Sequence, residues 1–521
     1  MDSTVVVIGS GFGGSVAALR AAERGHRVVV LEEGRRWRPQ DFPASNWDVR
    51  KFLWAPGLGC RGIQRIRLFR HFMGLAGAGV GGGSLVYAAT LLAPPSSFFT
   101  DPSWARLDPD WAATLAPRYA TARRMLGVTP TPRLGQGDVL LREYAASIGR
   151  ADQFQATEVG IFFGEPGVEV PDPYFGGQGP ARTGCDFTGA CMVGCRTGAK
   201  NSLDRNYLHL AERLGAVIEA DTRVTGLEPD GAGGWIVEGR TWRPGRGSEP
   251  RSWRARRVVV SAGTLGTVEL LLRCRERGWL AGLSPRLGER VRTNSEVIVG
   301  ARSTRREDRF CEGIAIAAQA QVSDETCIEV VRYPEGSDVM GFLASVLTDG
   351  GGRMGRPLTF LATCLTRPWD ALRAAWVPGW ARRTVILLVM QSVDNQLRLR
   401  LRRPWLRPWA RTLVSDAPRA LPTYIPEANA AARAIAKAIG GFPQGAWSEV
   451  LLDRPMTAHV LGGCPMGGGP GEGVVDPTGR VFGHEGLWVC DGSIVPANLG
   501  VNPSLTITAL AEHVMDAFPE A

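Results

Sequence analysis

The sequence predicts an α/β fold in which a Rossmann-like domain is joined to an α+β domain with a mixed sheet. The first observation is the pattern of residues 4–33, where an apolar strand, a glycine turn, a helix and a second strand follow one another as in a βαβ unit. The second is that strands followed by glycine turns return in 257–273 and 455–521. The chain therefore leaves the first domain and comes back to it, so its domains are expected to be discontinuous.

The size and composition fit this prediction. A chain of 521 residues is too long for one simple core, so two joined domains are expected. Hydrophobic content of 44% and charged content of 21% are typical of a globular protein. The net charge of +9 comes almost entirely from arginines that are scattered along the chain, without a nucleic-acid-binding motif. We therefore expect no nucleic-acid partner.

The expected location is the cytoplasm. Most of the ten cysteines are scattered, as in proteins of a reducing compartment. The N-terminal stretch STVVVIGSG already has the pattern of a strand and a turn rather than that of a signal peptide. The apolar stretch 384–390 is too short to span a bilayer.

The first glycine turn has the spacing G-x-G-x-x-G, at Gly9, Gly11 and Gly14, and Glu32 follows at the end of the second strand. Glycines let the backbone approach a pyrophosphate, and the N-terminus of the following helix favours its charge. A glutamate at this position can accept hydrogen bonds from ribose hydroxyls. The unit predicts a dinucleotide site, but the motif alone leaves FAD and NAD open.

Six segments, which together span nearly the whole chain, resemble those of the glucose–methanol–choline (GMC) oxidoreductases in the same order. Within that family the resemblance is to bacterial cholesterol oxidases that bind FAD non-covalently. The segments are VIGSGFGGS (7–15), GAGVGGGSLVY (77–87), GAKNSLDRNYL (198–208), VVVSAGTLGTVELLL (258–272), HVLGGCPMG (459–467) and DGSIVPANLGVNPSLTITALAE (491–512).

The resemblance implies FAD as a non-covalent cofactor, with the loop 79–84 lying across the flavin. One departure concerns position 87, where cholesterol oxidases have an asparagine after GGGSLV and this chain has a tyrosine, so substrate shape or oxygen access is expected to differ. The residues predicted to bind FAD are Gly9, Gly11, Phe12, Gly13, Gly14, Glu32, Gly79, Gly83, Ser84, Tyr87, Val224, Gly263, Asp491, Gly492, Asn502 and Pro503.

The resemblance also implies the chemistry, which is oxidation of a bulky apolar secondary alcohol to a ketone by hydride transfer to the flavin. The substrate is expected to resemble a sterol, terpenoid or polyketide, and oxygen or another acceptor then reoxidises the flavin. Such a reaction needs a group that orients the alcohol and takes its proton. The family places a histidine and a downstream histidine or asparagine there, which correspond to His459 and Asn502.

Two further features of the predicted site come from the same resemblance. A glutamate base is implied, and the segment CIEVVRYPEGSD makes Glu329 the candidate, although Glu329 could equally be a charged residue on an exposed strand face. The helix that begins after Pro503 can stabilise negative charge at the edge of the flavin through its free N–H groups.

The predicted FAD-binding domain comprises residues 1–95, 185–295 and 455–521. The predicted substrate-binding domain comprises residues 96–184 and 296–454. Within the second domain, residues 351–383 mix tryptophan, leucine and arginine as an interfacial helix pair does, so peripheral contact with a membrane is one interpretation. Ordinary packing of an amphipathic insertion on the sheet is the other.

Three alternatives stay open at this point. The cysteines Cys185, Cys191 and Cys195 cluster, but Thr188 stands where some relatives have an additional cysteine, so no metal site is expected. The reaction could instead be a related flavin-dependent desaturation or oxidative rearrangement in a biosynthetic pathway. The chain could also be a non-catalytic flavin-binding module, against which the presence of both His459 and Asn502 argues.

Overall fold

The computed structural model describes residues 4–350, 355–403, 411–418 and 421–521. Its first layer is a five-stranded parallel sheet whose central strands are apolar on both faces, as expected for a sheet covered on both sides. The strands lie in the order Val217–Glu219, Arg27–Leu31, Thr4–Ile8, Arg257–Val260 and Leu487–Val489.

Helix Phe12–Glu23 connects the first two strands in sequence and packs against helix Ser504–Asp516. The N-terminal βαβ unit and the C-terminal segment therefore share one core. An antiparallel meander covers part of this layer and follows the third strand along the chain. It consists of Thr222–Pro229, Trp235–Arg243 and Gly247–Ala255.

The second layer is a seven-stranded sheet in which all six strand pairings are antiparallel. The prediction of a Rossmann-like domain with an additional α+β domain is confirmed, although the predicted mixed sheet is antiparallel throughout. Antiparallel pairs do not need the helical crossover that parallel pairing requires. The order is Ala344–Val346, Gly441–Ala446, Val297–Ser303, Thr384–Gln391, Thr326–Val331, Ile316–Gln321 and Phe154–Ala156.

The remaining elements are helices around the two layers and short sheets. The other α-helices are Val49–Phe52, Trp111–Met125, Gln136–Ser147, Tyr207–Arg213, Gly263–Glu276, Arg356–Thr366, Pro368–Ala375, Trp380–Arg383, Pro426–Ala438 and Trp447–Val450. The short sheets pair Trp54–Ala55 with Cys60–Arg61, Thr129–Pro130 with Glu158–Val159, Glu169–Val170 with Arg182–Thr183, and Arg398–Arg402 with Thr412–Asp416, and they join Gln64–Leu68, Met73–Gly77 and Met456–Thr457.

Every strand of the parallel sheet comes from the three segments predicted to form the FAD-binding domain, and every strand of the seven-stranded sheet comes from the other two. One helix crosses this division, because Trp111–Met125 belongs by sequence to 96–184 but packs against Ser504–Asp516. Its Trp111 and Leu115 are part of the core around the parallel sheet. The domain boundaries themselves stay a prediction.

Among the described residues, no helix combines the length and the apolar character needed to cross a membrane.

Candidate active site

A cavity of about 1170 Å³ extends from the carboxyl edge of the parallel sheet to one face of the seven-stranded sheet. The glycine turn 9–13 and Glu32 line one end, and the apolar residues Ile298 and Leu388 line the other. His459 and Asn502 lie on its wall. The carboxyl edge of such a sheet is where ligands of α/β folds bind, so the cavity can hold a nucleotide and a second molecule together.

The glycines of the first turn have two different functions. A Cβ atom at Gly9, Gly13 or Gly14 would lie 2.3, 1.7 or 2.0 Å from a backbone oxygen, so these three permit close packing of strand and helix. Gly9 also has a φ of +99°, which side chains disfavour. A Cβ atom at Gly11 would meet nothing within 4 Å, although Gly11 lines the cavity. Gly11 therefore leaves space beside the N-terminus of helix Phe12–Glu23, which is the space a pyrophosphate requires.

The carboxylate of Glu32 links the first glycine turn to the glycine loop 79–84. Its carboxylate accepts hydrogen bonds from the Ser10 amide at 3.1 Å and the Ser10 hydroxyl at 2.6 Å. It also accepts from the amides of Gly34 at 2.9 Å and Gly79 at 3.3 Å. Burial raises the pKa of Glu32. The carboxylate lines the cavity and is fixed by four donors before any ribose approaches it.

Of the residues predicted to bind FAD, only Gly14, Gly79 and Ser84 do not line the cavity. Ser84 lies behind the loop, where its hydroxyl donates to the Gly81 carbonyl at 2.7 Å and accepts from the Leu203 amide at 3.0 Å. The others all line it: Gly9, Gly11, Phe12, Gly13, Glu32, Gly83, Tyr87, Val224, Gly263, Asp491, Gly492, Asn502 and Pro503. Their contacts with the cofactor stay a prediction.

Tyr87, the departure from the cholesterol oxidase pattern, packs edge-on against Phe12 with ring centroids 5.5 Å apart. Its hydroxyl donates to the Asn201 carbonyl at 3.0 Å. Burial raises the pKa of this phenol well above its usual range, so it stays neutral. The ring therefore adds a fixed apolar wall between the turn and the substrate end of the cavity.

The cysteine cluster surrounds the buried Lys200. The Lys200 ammonium donates to the carbonyls of Cys191 at 2.6 Å and Leu85 at 2.9 Å, and the Lys200 amide donates to Cys195 Sγ at 3.3 Å. Burial lowers the pKa of Lys200 to about 8. Within the described part of the chain, no group of three or more His, Cys, Asp or Glu side chains has a metal-binding arrangement. The contacts are those of a packed loop.

The predicted His459 has a partner that was not predicted. Its Nδ1 is hydrogen-bonded to the carboxylate of Glu296, which is 1% exposed, and the other Glu296 oxygen accepts from the Ala458 amide at 3.1 Å. Both side chains line the cavity. Because the carboxylate occupies Nδ1, the other ring nitrogen, Nε2, is the one left to bond a ligand.

The segment that ends in Glu296 also positions the other wall of the site. The Asn294 side chain accepts from the Gly500 amide at 2.9 Å and donates to the Val501 carbonyl at 3.0 Å, and thereby fixes the loop before Asn502. Asn294 and Ser295 both have left-handed backbones, with φ of +59° and +48°. Such strain is typical of functional sites, because the surrounding structure must hold it.

Glu329 is fully buried and does not line the cavity. One of its oxygens accepts from Asn502 Nδ2 at 3.2 Å, and the other has no hydrogen-bond partner in the described structure. The amide oxygen of Asn502 is also buried without a partner. Asn502 therefore separates Glu329 from the cavity, so any proton that Glu329 exchanges with a ligand has to pass Asn502.

The charges of these groups are coupled. Burial raises the pKa of Glu329 to about 7, against the opposing effects of Asn502 and His459. Burial alone would lower the pKa of His459, but the Glu296 carboxylate, helped by Glu329, raises it above its usual value. A raised pKa makes the imidazole a stronger proton acceptor.

The nucleotide side of the site ends at the N-terminus of a helix. Pro503 and Ser504 begin helix Ser504–Asp516 and line the cavity, so the free N–H groups of its first turn face it. Asp491 lies beside them and accepts from the Ser493 amide at 2.8 Å and the Thr267 hydroxyl at 2.5 Å. The positive end of this helix and the fixed carboxylate of Asp491 therefore lie where a cofactor would bind.

Comparison with known proteins decides the family. Residues 181–275 and 393–511 match two family models that are both described as GMC oxidoreductase, and residues 4–45 match one described as an FAD binding domain. The chain is 47% identical to a cholesterol oxidase from Mycobacterium tuberculosis, with 99% of this chain and 91% of the relative covered. The chain belongs to the GMC oxidoreductase family. It is an FAD-dependent oxidoreductase that acts on CH–OH donors, as the sequence predicts.

Other relatives agree with this assignment. A cholesterol oxidase from Acinetobacter baumannii is 42% identical over 99% of this chain and 94% of its own length. Among solved structures, a pyridoxine 4-oxidase from Mesorbium loti superposes with a TM-score of 0.60 at 16% identity, over 99% of both chains. A formate oxidase superposes with a TM-score of 0.58 at 14% identity, over 99% of this chain and 98% of its own. These two structures share the fold of this chain.

Glu296 is the functional residue that the sequence analysis missed. It directly precedes the apolar strand Val297–Ser303 in the polar run RTNSE, residues 292–296. A single acidic residue at the start of a buried strand was the available signal, because such a residue needs a partner. The identity of that partner, 163 residues later, has no local signature.

Proposed function

We propose that this GMC oxidoreductase oxidises a bulky, apolar, sterol-like secondary alcohol to a ketone. The observation that supports the proposal is the His459–Glu296 pair on the wall of a cavity whose substrate end is lined by apolar residues such as Ile298 and Leu388 and which continues into the nucleotide turn. The bound FAD supplies the acceptor for the hydride that leaves the carbinol carbon. The protein has to hold the alcohol and remove its hydroxyl proton.

In this proposal the His459–Glu296 pair takes the proton. The Glu296 carboxylate accepts a hydrogen bond from Nδ1–H and leaves Nε2 with a lone pair toward the alcohol oxygen. As the proton arrives at Nε2, the ring becomes positive and the adjacent carboxylate stabilises it. Glu296 is a positioning residue here, because it acts on the reacting atoms through His459.

Asn502 and Glu329 have the second function in this proposal. Asn502 Nδ2 has two hydrogens, so one can stay bonded to Glu329 while the other donates to the alcohol oxygen, whose own proton goes to His459. Asn502 thus orients the alcohol, and Glu329 fixes the direction of the Asn502 amide. If Glu329 were the proton acceptor instead, the proton would have to cross Asn502.

The acceptor that reoxidises the cofactor is proposed to be molecular oxygen. The relatives from Mycobacterium tuberculosis and Acinetobacter baumannii, at 47% and 42% identity, are both named as oxidases, which supports this choice. Non-covalent binding of FAD is consistent with those relatives. The ten cysteines are all free thiols, which favours a reducing location such as the cytoplasm.

The test is anaerobic reduction of the enzyme-bound flavin by cholesterol, followed by absorbance, with identification of the product. We expect bleaching at a saturable rate and a ketone as product. His459→Gln should keep its FAD and slow the bleaching by roughly 10²–10⁴-fold, the usual contribution of a general base. An unchanged rate in this variant would contradict the assigned proton acceptor. A desaturated or rearranged product would show that the reaction is one of the alternatives.

We further propose that the protein takes its substrate from a lipid surface. The helices Arg356–Thr366 and Pro368–Ala375 expose a continuous set of large apolar side chains, here called the apolar helix pair: Leu358, Leu361, Leu365, Trp369, Leu372 and Trp376. Leu365 is 82% exposed and Trp369 is 72% exposed. Exposed apolar surface of this kind is typical of interfacial helices. The predicted span 351–383 begins at 351–354, which lie outside the described residues.

The position of the apolar helix pair supports this proposal. Helix Pro368–Ala375 packs against strand Ala344–Val346, whose first residue lines the cavity. The preceding turn, Val339–Leu343, places Met340 and Leu343 on the cavity wall and leaves Phe342 exposed at the surface. An apolar molecule could therefore pass from a lipid surface to the cavity beside this turn.

A further inference from the structure

The substrate end of the cavity has a regular floor, which is one face of the seven-stranded sheet. Strand pairing places its residues in transverse rows. The first row contains Glu329, Leu388 and Ile298, and the next contains Val331, Ile386, Gly300 and Gln444. Thr384 lies one row further along its strand, on the same face as Ile386. The position of a row along the strands therefore gives its distance from the catalytic end of the cavity.

Polar side chains reappear at the far end of this floor. Tyr333, Thr384 and Gln444 all line the cavity, and we call them the distal polar group. Thr384 Oγ1 and Gln444 Nε2 are buried and have no hydrogen-bond partner within the described structure. The Tyr333 hydroxyl likewise has none there. Burial raises its pKa above the usual range, so it remains a neutral donor.

The orientation of Gln444 is fixed by a neighbour. Trp380 Nε1, which can only donate, bonds Gln444 Oε1 at 3.2 Å. The amide nitrogen of Gln444 is therefore the atom left without an acceptor. A buried donor without a partner destabilises the protein, so its presence in a ligand cavity indicates that a ligand supplies the acceptor.

Charge and spacing define that acceptor. The arginines that line the cavity, such as Arg67 and Arg273, lie at the nucleotide end. Arg302, which pairs with Thr384, does not line the cavity, because its guanidinium donates to the carbonyls of Arg373 and Pro378. A neutral oxygen therefore fits better than a carboxylate. Thr384 is four residues along the strand from Leu388, which pairs with Glu329, so the separation from the catalytic row is about 13 Å.

We propose that the distal polar group binds a second oxygen of the substrate. The substrate is then an apolar secondary alcohol that has a neutral ketone or hydroxyl at the opposite end of a rigid skeleton. Gln444 Nε2 and the hydroxyls of Thr384 and Tyr333 donate to that oxygen. The inference rests on the proposed function, because it presumes that the alcohol carbon lies at the His459 end. The inference adds a second position at which the enzyme recognises the substrate.

The experiment uses two steroid alcohols with one skeleton. Epiandrosterone has a ketone opposite its alcohol, and its deoxy analogue has a methylene there. The holoenzyme should oxidise epiandrosterone with a kcat/KM about tenfold higher or more, since a site built to hydrogen-bond a group discriminates against its absence. Thr384→Val and Tyr333→Phe should each lower kcat/KM for epiandrosterone by about 3- to 10-fold. The loss should be smaller for the deoxy substrate, so the preference for epiandrosterone should fall in both variants.

Two controls separate recognition from damage. Thr384→Val removes a hydroxyl that has no protein partner, so its thermal unfolding temperature should not fall. Thr326→Val lies on the same sheet away from the cavity, where the Thr326 hydroxyl accepts from Gln391 Nε2 at 3.0 Å. That variant should leave the ratio between the two substrates unchanged.

The proposal that the distal polar group binds a second substrate oxygen would be wrong if the two steroids had equal kcat/KM. It would also be wrong if the variants lost equal activity on both steroids. Binding, measured by the change in flavin absorbance, keeps this result separate from the proposed reaction. If epiandrosterone binds more tightly than its analogue but neither steroid reduces the flavin, the proposed reaction is wrong. The proposed binding role of the distal polar group would then still be supported. If neither steroid binds, the inference is wrong.

Discussion

The two ends of the cavity are built in different ways. At the nucleotide end the site is formed mainly by the backbone. Gly9, Gly13 and Gly14 allow the strand and the helix to pack closely, and Glu32 accepts hydrogen bonds from main-chain amides. At the substrate end it is made by side chains from distant segments. His459 meets Glu296 across 163 residues, and Asn502 meets Glu329 across 173.

This difference explains how each end tolerates change. Backbone approach at the nucleotide end depends on the absence of a side chain, so one added methyl group can disrupt the fold. Side-chain pairs at the substrate end can lose one partner while the strands that hold them stay in place, which affects the reaction rather than the fold. The predictions below test this contrast.

The largest effect is expected from Gly13→Ala, set against Gly11→Ala. A Cβ atom at Gly13 would lie 1.7 Å from the Cys490 carbonyl oxygen, so the helix or the strand end must move, at a cost of about 3 kcal/mol or more. We expect little soluble FAD-containing protein from this variant. Gly11 has a φ of −71°, which alanine adopts, and open space around it. Gly11→Ala should fold and bind FAD more weakly.

The measurements are soluble yield, thermal unfolding of the apoprotein and FAD titration by fluorescence quenching. Normal folding of Gly13→Ala with weakened FAD binding would show that this glycine serves the ligand instead of the packing. A folding defect in Gly11→Ala would show the reverse for that position.

The same contrast shows what the sequence could predict. The βαβ unit, the return of the C-terminal segment and the glycine turn with Glu32 are local patterns, and they were predicted. His459 and Asn502 were found through family segments. Glu296 was missed, because an ion pair across the chain leaves no spacing to read. The antiparallel direction of the second sheet was also missed, since apolar strands do not show their pairing partners.

The next effect concerns the rate and its pH dependence. In Glu296→Gln the carboxylate that raises the pKa of His459 is gone, and burial, which lowers that pKa, remains. A base works when deprotonated, so kcat/KM of the parent should rise with pH through a value above 6.5. In the variant this rise should move to lower pH. The plateau rate should fall by roughly 10²-fold, because the ring loses its orientation.

Glu329→Gln is the matched control, since it neutralises the other carboxylate of the site. The variant keeps an acceptor for Asn502 and removes only the smaller of the two contributions that raise the pKa of His459, so the pH at which the rate rises should move down less than in Glu296→Gln. The measurement is anaerobic flavin reduction between pH 5 and 9 over a range of alcohol concentrations, from which the pH profile of kcat/KM is obtained. A profile that shifts only in Glu329→Gln would assign the proton to Glu329 and leave His459 to position the alcohol.

The smallest effect on the chemistry, and the last test of the contrast, concerns the outer surface of the substrate end. Leu365 and Trp369 of the apolar helix pair are more exposed than most large apolar residues of the chain, and no described residue covers them. Replacing both with serine should lower partition onto phosphatidylcholine vesicles by about tenfold or more, because each side chain contributes about 1–3 kcal/mol when buried in lipid. Oxidation of an alcohol dissolved in detergent should not change.

Leu58→Ser is the control, since Leu58 is 81% exposed but lies at the nucleotide end. Parent protein that stays in the supernatant of sedimented vesicles, or equal loss in the control, would show that the apolar helix pair does not contact lipid.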